Sequence, residues 1–393
     1  MTMEERDAVV IGAGPAGLAV AGCLIRQGLR PLVLERAGEL GASWRTHYER
    51  LHLHTVKTHS ALPGLPFPKS APRYVSRQGV VDYLEAYAAH HGIAPRLNTG
   101  VEAIVPRTGR WQVTTMDRQR FEAPAVVVAT GANNHPNRPE LAGRSAFRGR
   151  IVHSGDYRNG KPFAGNRVLV VGMGNTGAEI ALDLAEHGAK AALSVRSPVN
   201  IVYRDVLGRP TQLTSMALAR LPERWGDAIA RWLCTVTVGD IDRYGLRRST
   251  LSPLRQLREH GRTPVIDIGT LARIKSGQIR VHPDIDRFTD DGVRFVDGSE
   301  APFDAVVLAT GYRAGVERLF PETQVPLDTN GMPRDVVAGD ALQDVYFVGF
   351  DLRQPGGLLR TIGLQARDVA AVIAQRAARS QAAASVDPPP VRR

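Results

Sequence analysis

Two glycine clusters at matching spacing are built to cradle phosphate-bearing ligands. The first is Gly12-Ala-Gly14-Pro15-Ala16-Gly17 and the second is Gly172-Met-Gly174-Asn175-Thr176-Gly177. In such a turn the first glycine permits the tight bend and the second lets backbone approach a pyrophosphate. The third lets helix and strand pack closely, with the helix N-terminus facing the phosphates. The residue that ends the next strand then chooses the nucleotide. After the first cluster that residue is Glu35, 18 positions beyond Gly17 and followed by Arg36. An acid there takes both ribose hydroxyls and repels a 2′-phosphate, so this site is read as one for FAD or NAD. After the second cluster the equivalent residue is Arg196, 19 positions beyond Gly177 and followed by Ser197. A guanidinium pairs with a 2′-phosphate and stacks on adenine, which favours NADP over NAD. Two such sites in one chain imply a relay in which NADPH delivers hydride to a flavin. The cofactors carry the reaction, and the protein supplies position and electrostatics.

The elements that position these turns are legible around them. Residues 7–11 (DAVVI) read as a short buried strand before the first turn, with an Ala/Leu-rich helix to Gln27 and a second strand over residues 31–35. Residues 167–171 (RVLVV) repeat the strand, and a helix follows to about His187. Two near-copies lie further along: residues 121–131 end in Ala129-Thr130-Gly131, and residues 303–312 end in Ala309-Thr310-Gly311-Tyr312. Each reads as a buried strand whose small end passes close to a dinucleotide and marks a crossing between domains. The predicted fold is α/β, with two Rossmann-like domains and the second inserted into the first. The FAD domain is placed at 1–150 plus 305–380, the NADPH domain at 160–300, and a disordered tail at 381–393.

Bulk properties exclude several classes. The chain has 393 residues, 43% hydrophobic and 23% charged, a normal globular balance. Its two cysteines, Cys23 and Cys234, form no CxxC pair, so neither a redox disulfide nor a disulfide framework is expected. They read as buried thiols of a cytoplasmic protein. The net charge of +11 is carried almost wholly by arginine, since only five lysines occur. No nucleic-acid recognition motif accompanies it, and no such partner is expected. The uncharged run 8–25 is explained by strand, turn and helix, and Glu4, Glu5 and Asp7 precede it, so neither a membrane span nor a signal peptide is expected. The helical run 211–235, which includes Met216, Leu218, Trp225 and Trp232, is read first as core packing. A substrate tunnel, a membrane contact or a homodimer face are its other readings.

A third pattern carries a resemblance. Phe147-Arg-Gly149-Arg-Ile-Val-His153-Ser-Gly-Asp-Tyr157-Arg158-Asn-Gly-Lys-Pro162 stands directly before the second glycine turn. Every fixed position matches the fingerprint of the class B flavoprotein monooxygenases, FxGxxxHxxx[FY][KR]xxx[PD], and Ala309-Thr310-Gly311-Tyr312 resembles their second signature. The fingerprint loop is expected to link the domains over the NADP site. Residues 237–274, with GDIDRYGLRR, TPVIDIGTLARIKSG and the surrounding spacing, are similar to the YUCCA branch of that family. So are Arg50-Leu-His-Leu-His54, residues 62–68 and the helix at 80–93, and the likeness spans about residues 7 to 375.

The resemblance implies FAD, NADPH and O2 as co-substrate, and a C4a-(hydro)peroxyflavin shielded by retained NADP+. It implies oxidative decarboxylation of an aromatic 2-keto acid such as indole-3-pyruvate to indole-3-acetate. Trp44 and Arg45, in the segment matching the family's Gly-Gly-x-Trp with Ala42 in place of the second Gly, are placed beside the flavin, as are Val101, Gly349 and Phe350; a core aromatic is the equal reading for Trp44. His54 stands three residues before Lys57, where the animal-type N- and S-oxygenating members have Asn. Both are candidate catalytic residues: His54 as a hydrogen-bonding group near the flavin N5 or the peroxide, Lys57 as the cation balancing a keto-acid carboxylate or the reduced flavin; the blander readings are a satisfied polar residue for His54 and an ordinary ion pair for Lys57. A metal site built on His52, His54 and His59 is not expected, because no carboxylate or thiolate company converges on them in sequence. Other readings stay open: N- or S-oxygenation of a small amine or sulfide, Baeyer–Villiger oxidation, and an NADPH-dependent flavin reductase or oxidase without oxygen transfer.

Overall fold

The computed structural model describes residues 6–337 and 339–384. In chain order the elements that matter begin with β1 (Ala8–Ile11), α1 (Pro15–Arg26), β2 (Pro31–Leu34), α2 (Arg77–His91) and β3 (Val126–Val128). Next come β4 (Arg150–His153), β5 (Arg167–Val171), α3 (Asn175–Glu186), β6 (Lys190–Ser194), α4 (Thr211–Leu218), α5 (Glu223–Val238), α6 (Pro253–His260), β7 (Arg280–His282) and β8 (Ala305–Leu308). The chain closes with β9 (Val345–Phe347) and α7 (Leu358–Ala384).

Two parallel sheets result. The first has the order β2-β1-β3-β9 and the second β7-β6-β5-β8-β4. Their strands are runs of Val, Leu, Ala and Ile with little polar alternation, as expected of a parallel sheet covered on both faces, here by helices on one and a three-stranded antiparallel sheet on the other. Val9, Val10, Val126 and Val127 are fully buried in one sheet, and Leu169, Val170, Val306 and Val307 in the other. Helices α1, α2 and α7 cover the first sheet, and Tyr87 of α2 is wholly enclosed. The small residues of α1 allow this approach: a Cβ on Gly22 would stand 2.7 Å from the Tyr87 hydroxyl.

The second sheet interrupts the first, whose last strand arrives only at Val345. Insertion is therefore as expected, but two boundaries move. Strands β4 and β8 both belong to the inserted sheet, β8 pairing β4 from Ala305↔Arg150 to Leu308↔His153 and pairing β5 on its other side. The inserted domain thus takes in residues 150–308, wider than 160–300, because strand β8 cannot hydrogen-bond in two sheets at once. The C-terminal prediction also shifts: α7 continues through Ala384, so residues 381–384 are helical and the rest of the expected tail lies outside the described residues.

The two crossings meet. Residues 135–136 pair antiparallel with residues 312–313, Tyr312 opposite Pro136 and Arg313 opposite His135. Asn137 N–H donates to Gly311 O at 2.9 Å, and the Asn137 amide donates to Thr310 O at 3.2 Å. The two strands of chain joining the domains form one short ribbon.

Candidate active site

Each glycine turn is cut to the same template. Gly12 has φ +103° and Gly172 φ +102°, values that favour glycine. A Cβ on Gly17 would stand 1.8 Å from Gly12 O, and one on Gly177 would stand 2.0 Å from Gly172 O. The Ala-Thr-Gly ends close against the turns. A Cβ on Gly12 would meet Ala129 O at 2.6 Å, and one on Gly172 would meet Ala309 O at 2.8 Å. Gly14 and Gly174, by contrast, face open space, with nothing within 4 Å of where a Cβ would lie. That opening at the N-terminus of a 12-residue helix in each case fits a pyrophosphate.

The flanking residues are held in register. Glu35 is buried, and its two oxygens accept from Ala13 N–H at 2.7 Å and Ala37 N–H at 2.9 Å. This fixes the carboxylate at the end of β2, beside the first turn. Thr99 N–H donates to Glu35 O, which brings the start of strand Val101–Arg107 to the same edge, next to Arg36. Thr130 lies against Gly12 with its hydroxyl buried and without a protein partner. A Cβ on Gly349 would come 2.9 Å from the Ala16 side chain, and Phe350 is buried behind it. In the second domain Arg196 projects with a 78% exposed side chain, and Ser197 is exposed beside it, so both are accessible to a nucleotide. Thr310 and Gly311 lie in the ribbon, where Gly311 O accepts from Asn137 N–H and meets His153 Nε2. Tyr312 packs edge-on to His153 at 5.1 Å.

Between the domains lies a cavity of about 320 Å3. Its first-domain wall is His54, Thr55, Asp351, Leu352, Gln354 and the turn Gly356-Gly357-Leu358 at the start of α7. Its second-domain wall is mostly apolar, with Val202, Leu218, Leu233, Leu254, Leu257 and Ile266. Gln212 of α4 spans the two: its amide donates to Gly356 O at 2.6 Å and its carbonyl accepts from Val56 N–H at 2.7 Å. Arg204 also lines the cavity, its guanidinium 4.1 Å over the Tyr74 ring and its buried Nε 3.6 Å from the Asp205 carboxylate, beyond hydrogen-bond distance.

His54 reaches across the domain boundary. Its Nε2 lies 2.8 Å from Glu179 Oε1 on α3, and the Tyr48 hydroxyl donates to the same oxygen at 3.2 Å. Glu179 is only 2% exposed. Burial, followed by the Glu179 charge, pushes the Tyr48 phenol well above its ordinary range, so it remains a donor. One turn along α3, Asp183 accepts from the Tyr157 hydroxyl at 2.6 Å and lies 3.7 Å from Arg50. The fingerprint loop makes a second bridge, since Glu49 N–H donates to Arg158 O at 2.8 Å.

Against this geometry stand the known proteins. The model of the flavin-binding monooxygenase-like family matches residues 5–375. The chain belongs to that family. The indole-3-pyruvate monooxygenase YUCCA1 of Oryza sativa subsp. japonica is 44% identical over 360 residues, which cover 90% of this chain and 88% of that protein. The probable indole-3-pyruvate monooxygenase YUCCA8 of Arabidopsis thaliana is 38% identical over 378 residues, 93% and 88% of the two chains. Among solved structures, a flavin-containing monooxygenase from Stenotrophomonas maltophilia superposes with a TM-score of 0.75 at 24% identity, over 95% of this chain and all of that one. As a flavin-binding monooxygenase-like protein this chain is an oxidoreductase, and its two-sheet architecture is the one those structures share.

Within this monooxygenase three expected site residues have other work. The Lys57 ammonium donates to three carbonyls, Pro68 O at 3.3 Å, Lys69 O at 2.8 Å and Ala71 O, and does not line the cavity. It ties a loop together, which corrects its reading as the substrate's counter-ion. Arg45 donates to Leu40 O at 2.9 Å and pairs with Glu39 and Glu85, so its guanidinium anchors the segment rather than reaching a ligand. The Asn175 side chain is spent on the segment 263–266, accepting from Ile266 N–H at 2.7 Å, and orders the cavity wall. Trp44 is half-buried against the first core, and Thr176 is half-buried at the start of α3 beside Tyr48. His52 and His59 turn to local partners, and among the described residues no group of three or more His, Cys, Asp or Glu side chains is gathered as a metal would require.

The helical run 211–235 is likewise not core. Among the residues of α4 none is buried, and α5 buries only Gly226, Ala230, Cys234 and Val238. The pair roofs the cavity while Trp225 and Trp232 face outward, 57% and 61% exposed. Sequence reasoning missed Glu179, Tyr48, Arg204 and Gln212. Among the described residues no helix is long and apolar enough to cross a membrane.

Proposed function

We propose that the chain binds FAD at the first glycine turn and NADPH at the second, and oxidatively decarboxylates an aromatic 2-keto acid, with indole-3-pyruvate the first candidate. The observation that carries the substrate class is the cavity: mostly apolar walls, the guanidinium groups of Arg204 and Arg209 on the second-domain side facing the single carboxylate of Asp351, and His54 at its boundary. The YUCCA relatives' names supply the specific candidate. Gly12, Gly14, Gly17, Glu35, Thr130 and Gly131 would hold FAD; Gly172, Gly174, Gly177, Arg196, Ser197, Thr310 and Gly311 would hold NADPH. When bound, the pair supplies the two electrons that let O2 react.

The chain's own groups then have defined tasks. Leu218, Leu233, Leu254, Leu257 and Ile266 take the aromatic ring and exclude water. Arg204 meets the carboxylate, and its stacking on Tyr74 limits the rotamers it must give up. His54 presents a ring nitrogen to the keto group. In the net reaction the 2-keto acid, O2, NADPH and a proton yield the shortened acid, CO2, water and NADP+. One oxygen atom of O2 enters the product carboxylate and the other leaves as water.

The test is incubation of FAD-loaded protein with NADPH, 18O2 and indole-3-pyruvate, with catalase present to destroy free H2O2, and mass spectrometry of the products. Indole-3-acetate carrying one 18O, in step with NADPH consumed, supports the reading. NADPH consumption without that product removes the substrate assignment, and a flavin that NADPH does not reduce removes the second site.

A further inference from the structure

Helix α3 leaves the second glycine turn and meets the first domain with two buried acids, Glu179 and Asp183, one helical turn apart. Asp183 faces Tyr157, Arg50 and His187 and is fully engaged away from the cavity. Glu179 faces the loop that carries Tyr48 and His54, and both give their hydrogens to one oxygen, Oε1. Oε1 already accepts from the Tyr48 hydroxyl, and as an acceptor it takes the hydrogen of the His54–Glu179 bond from Nε2. That assignment leaves the other ring nitrogen. His54 Nδ1 and Glu179 Oε2 are both buried and meet no polar protein atom, but of the two residues only His54 lines the cavity. A buried polar atom without a partner is costly, so in the working protein a ligand takes the position facing Nδ1.

We infer that Glu179 is a positioning residue for this reaction: it fixes the tautomer and orientation of His54 so that Nδ1 faces the bound 2-keto acid. The inference rests on the reading that such an acid occupies the cavity. Glu179 does this from the other domain, on the helix whose first turn is the second dinucleotide site. A histidine set by a carboxylate behind it is a recurrent way of choosing which ring nitrogen faces a substrate. Here the two partners arrive from different sheets, so the site is complete only where the domains meet. Tyr48 adds a second hydrogen to Oε1 and restrains the carboxylate without competing for the imidazole.

The experiment compares E179A, E179Q, H54N and the E179A/H54N double variant in product formed per NADPH consumed, and in kcat. Two residues that act as a unit are non-additive. E179A is expected to lower kcat by roughly ten- to a hundredfold in the wild-type background and by less than about twofold in the H54N background. E179Q is expected to recover most of the loss, because its carbonyl still accepts from Nε2 and its volume is nearly unchanged. An equal loss from E179A in both backgrounds, or none in either, overturns the proposal. A second readout needs no turnover: 15N spectra of histidine-labelled protein, with the His54 signals assigned from H54N. Wild type is expected to show His54 protonated at Nε2, and E179A to lose that preference. An unchanged His54 signal in E179A overturns the proposal even if indole-3-pyruvate is turned over. A Glu179-dependent signal together with no turnover of indole-3-pyruvate upholds the positioning and removes only the substrate.

Discussion

Arg204 couples a fixed charge to an apolar wall, and its stacking on Tyr74 holds it there. Charge-assisted hydrogen bonds in such places contribute about 1.5–3 kcal/mol, so R204Q is expected to raise KM for indole-3-pyruvate by about tenfold or more. The same variant should leave binding of the uncharged methyl ester nearly unchanged, and equal losses for acid and ester would count against a carboxylate contact. Lys57 has the opposite profile. K57A should lower stability by about 1–2 kcal/mol in a urea melt, since three carbonyls lose a cationic donor. Its KM should stay at the wild-type value, and a large KM increase would restore the counter-ion role. At this scale the sequence was only partly readable. His54 could be singled out because its place in the loop resembles a known motif. Glu179 could not, because an acid in Asn-Thr-Gly-Ala-Glu-Ile looks like an ordinary polar helix position until the facing loop is seen. Arg204 was hidden among many arginines, and only burial against the cavity distinguishes it.

The strand–turn–helix units were the most legible elements, because a single steric requirement sets both residue type and spacing. The two glycine positions in one turn should therefore respond differently. G177A forces a Cβ into Gly172 O, at 2.0 Å, and should destabilise by about 1–3 kcal/mol, read as a lowered urea midpoint. G174A meets open space, so its midpoint should match wild type while NADPH binding weakens. Loss of stability in G174A would mean that the open space is not a ligand cradle. Helices α4 and α5 misled because their apolar residues face two ways. Small ones point into the protein and the tryptophans point out, which a count of hydrophobic residues cannot separate. W232Q should accordingly leave stability within about 0.5 kcal/mol of wild type, whereas a core tryptophan would cost several.

Over the whole molecule, ligand linkage reports on the second site without any chemistry. NADP+ at a hundred times its Kd should stabilise the folded chain by about 2.7 kcal/mol, seen as a rise in Tm. R196Q should remove the difference between NADP+ and NAD+, and a retained preference would assign the 2′-phosphate to another residue. The domain order was legible because the strand–turn–helix pattern occurs twice with a returning strand after it. The boundaries were not, because an edge strand such as β4 and a central strand such as β8 read alike in sequence, and only pairing tells which sheet owns them. The ribbon that closes the insertion has a practical side. Since entry and exit lie hydrogen-bonded together at 135–137 and 311–313, residues 138–310 form a cassette with adjacent ends. Exchanging that cassette between relatives requires matching one short seam and the acidic face of α3, so nucleotide preference and the substrate roof would travel as a single transplant.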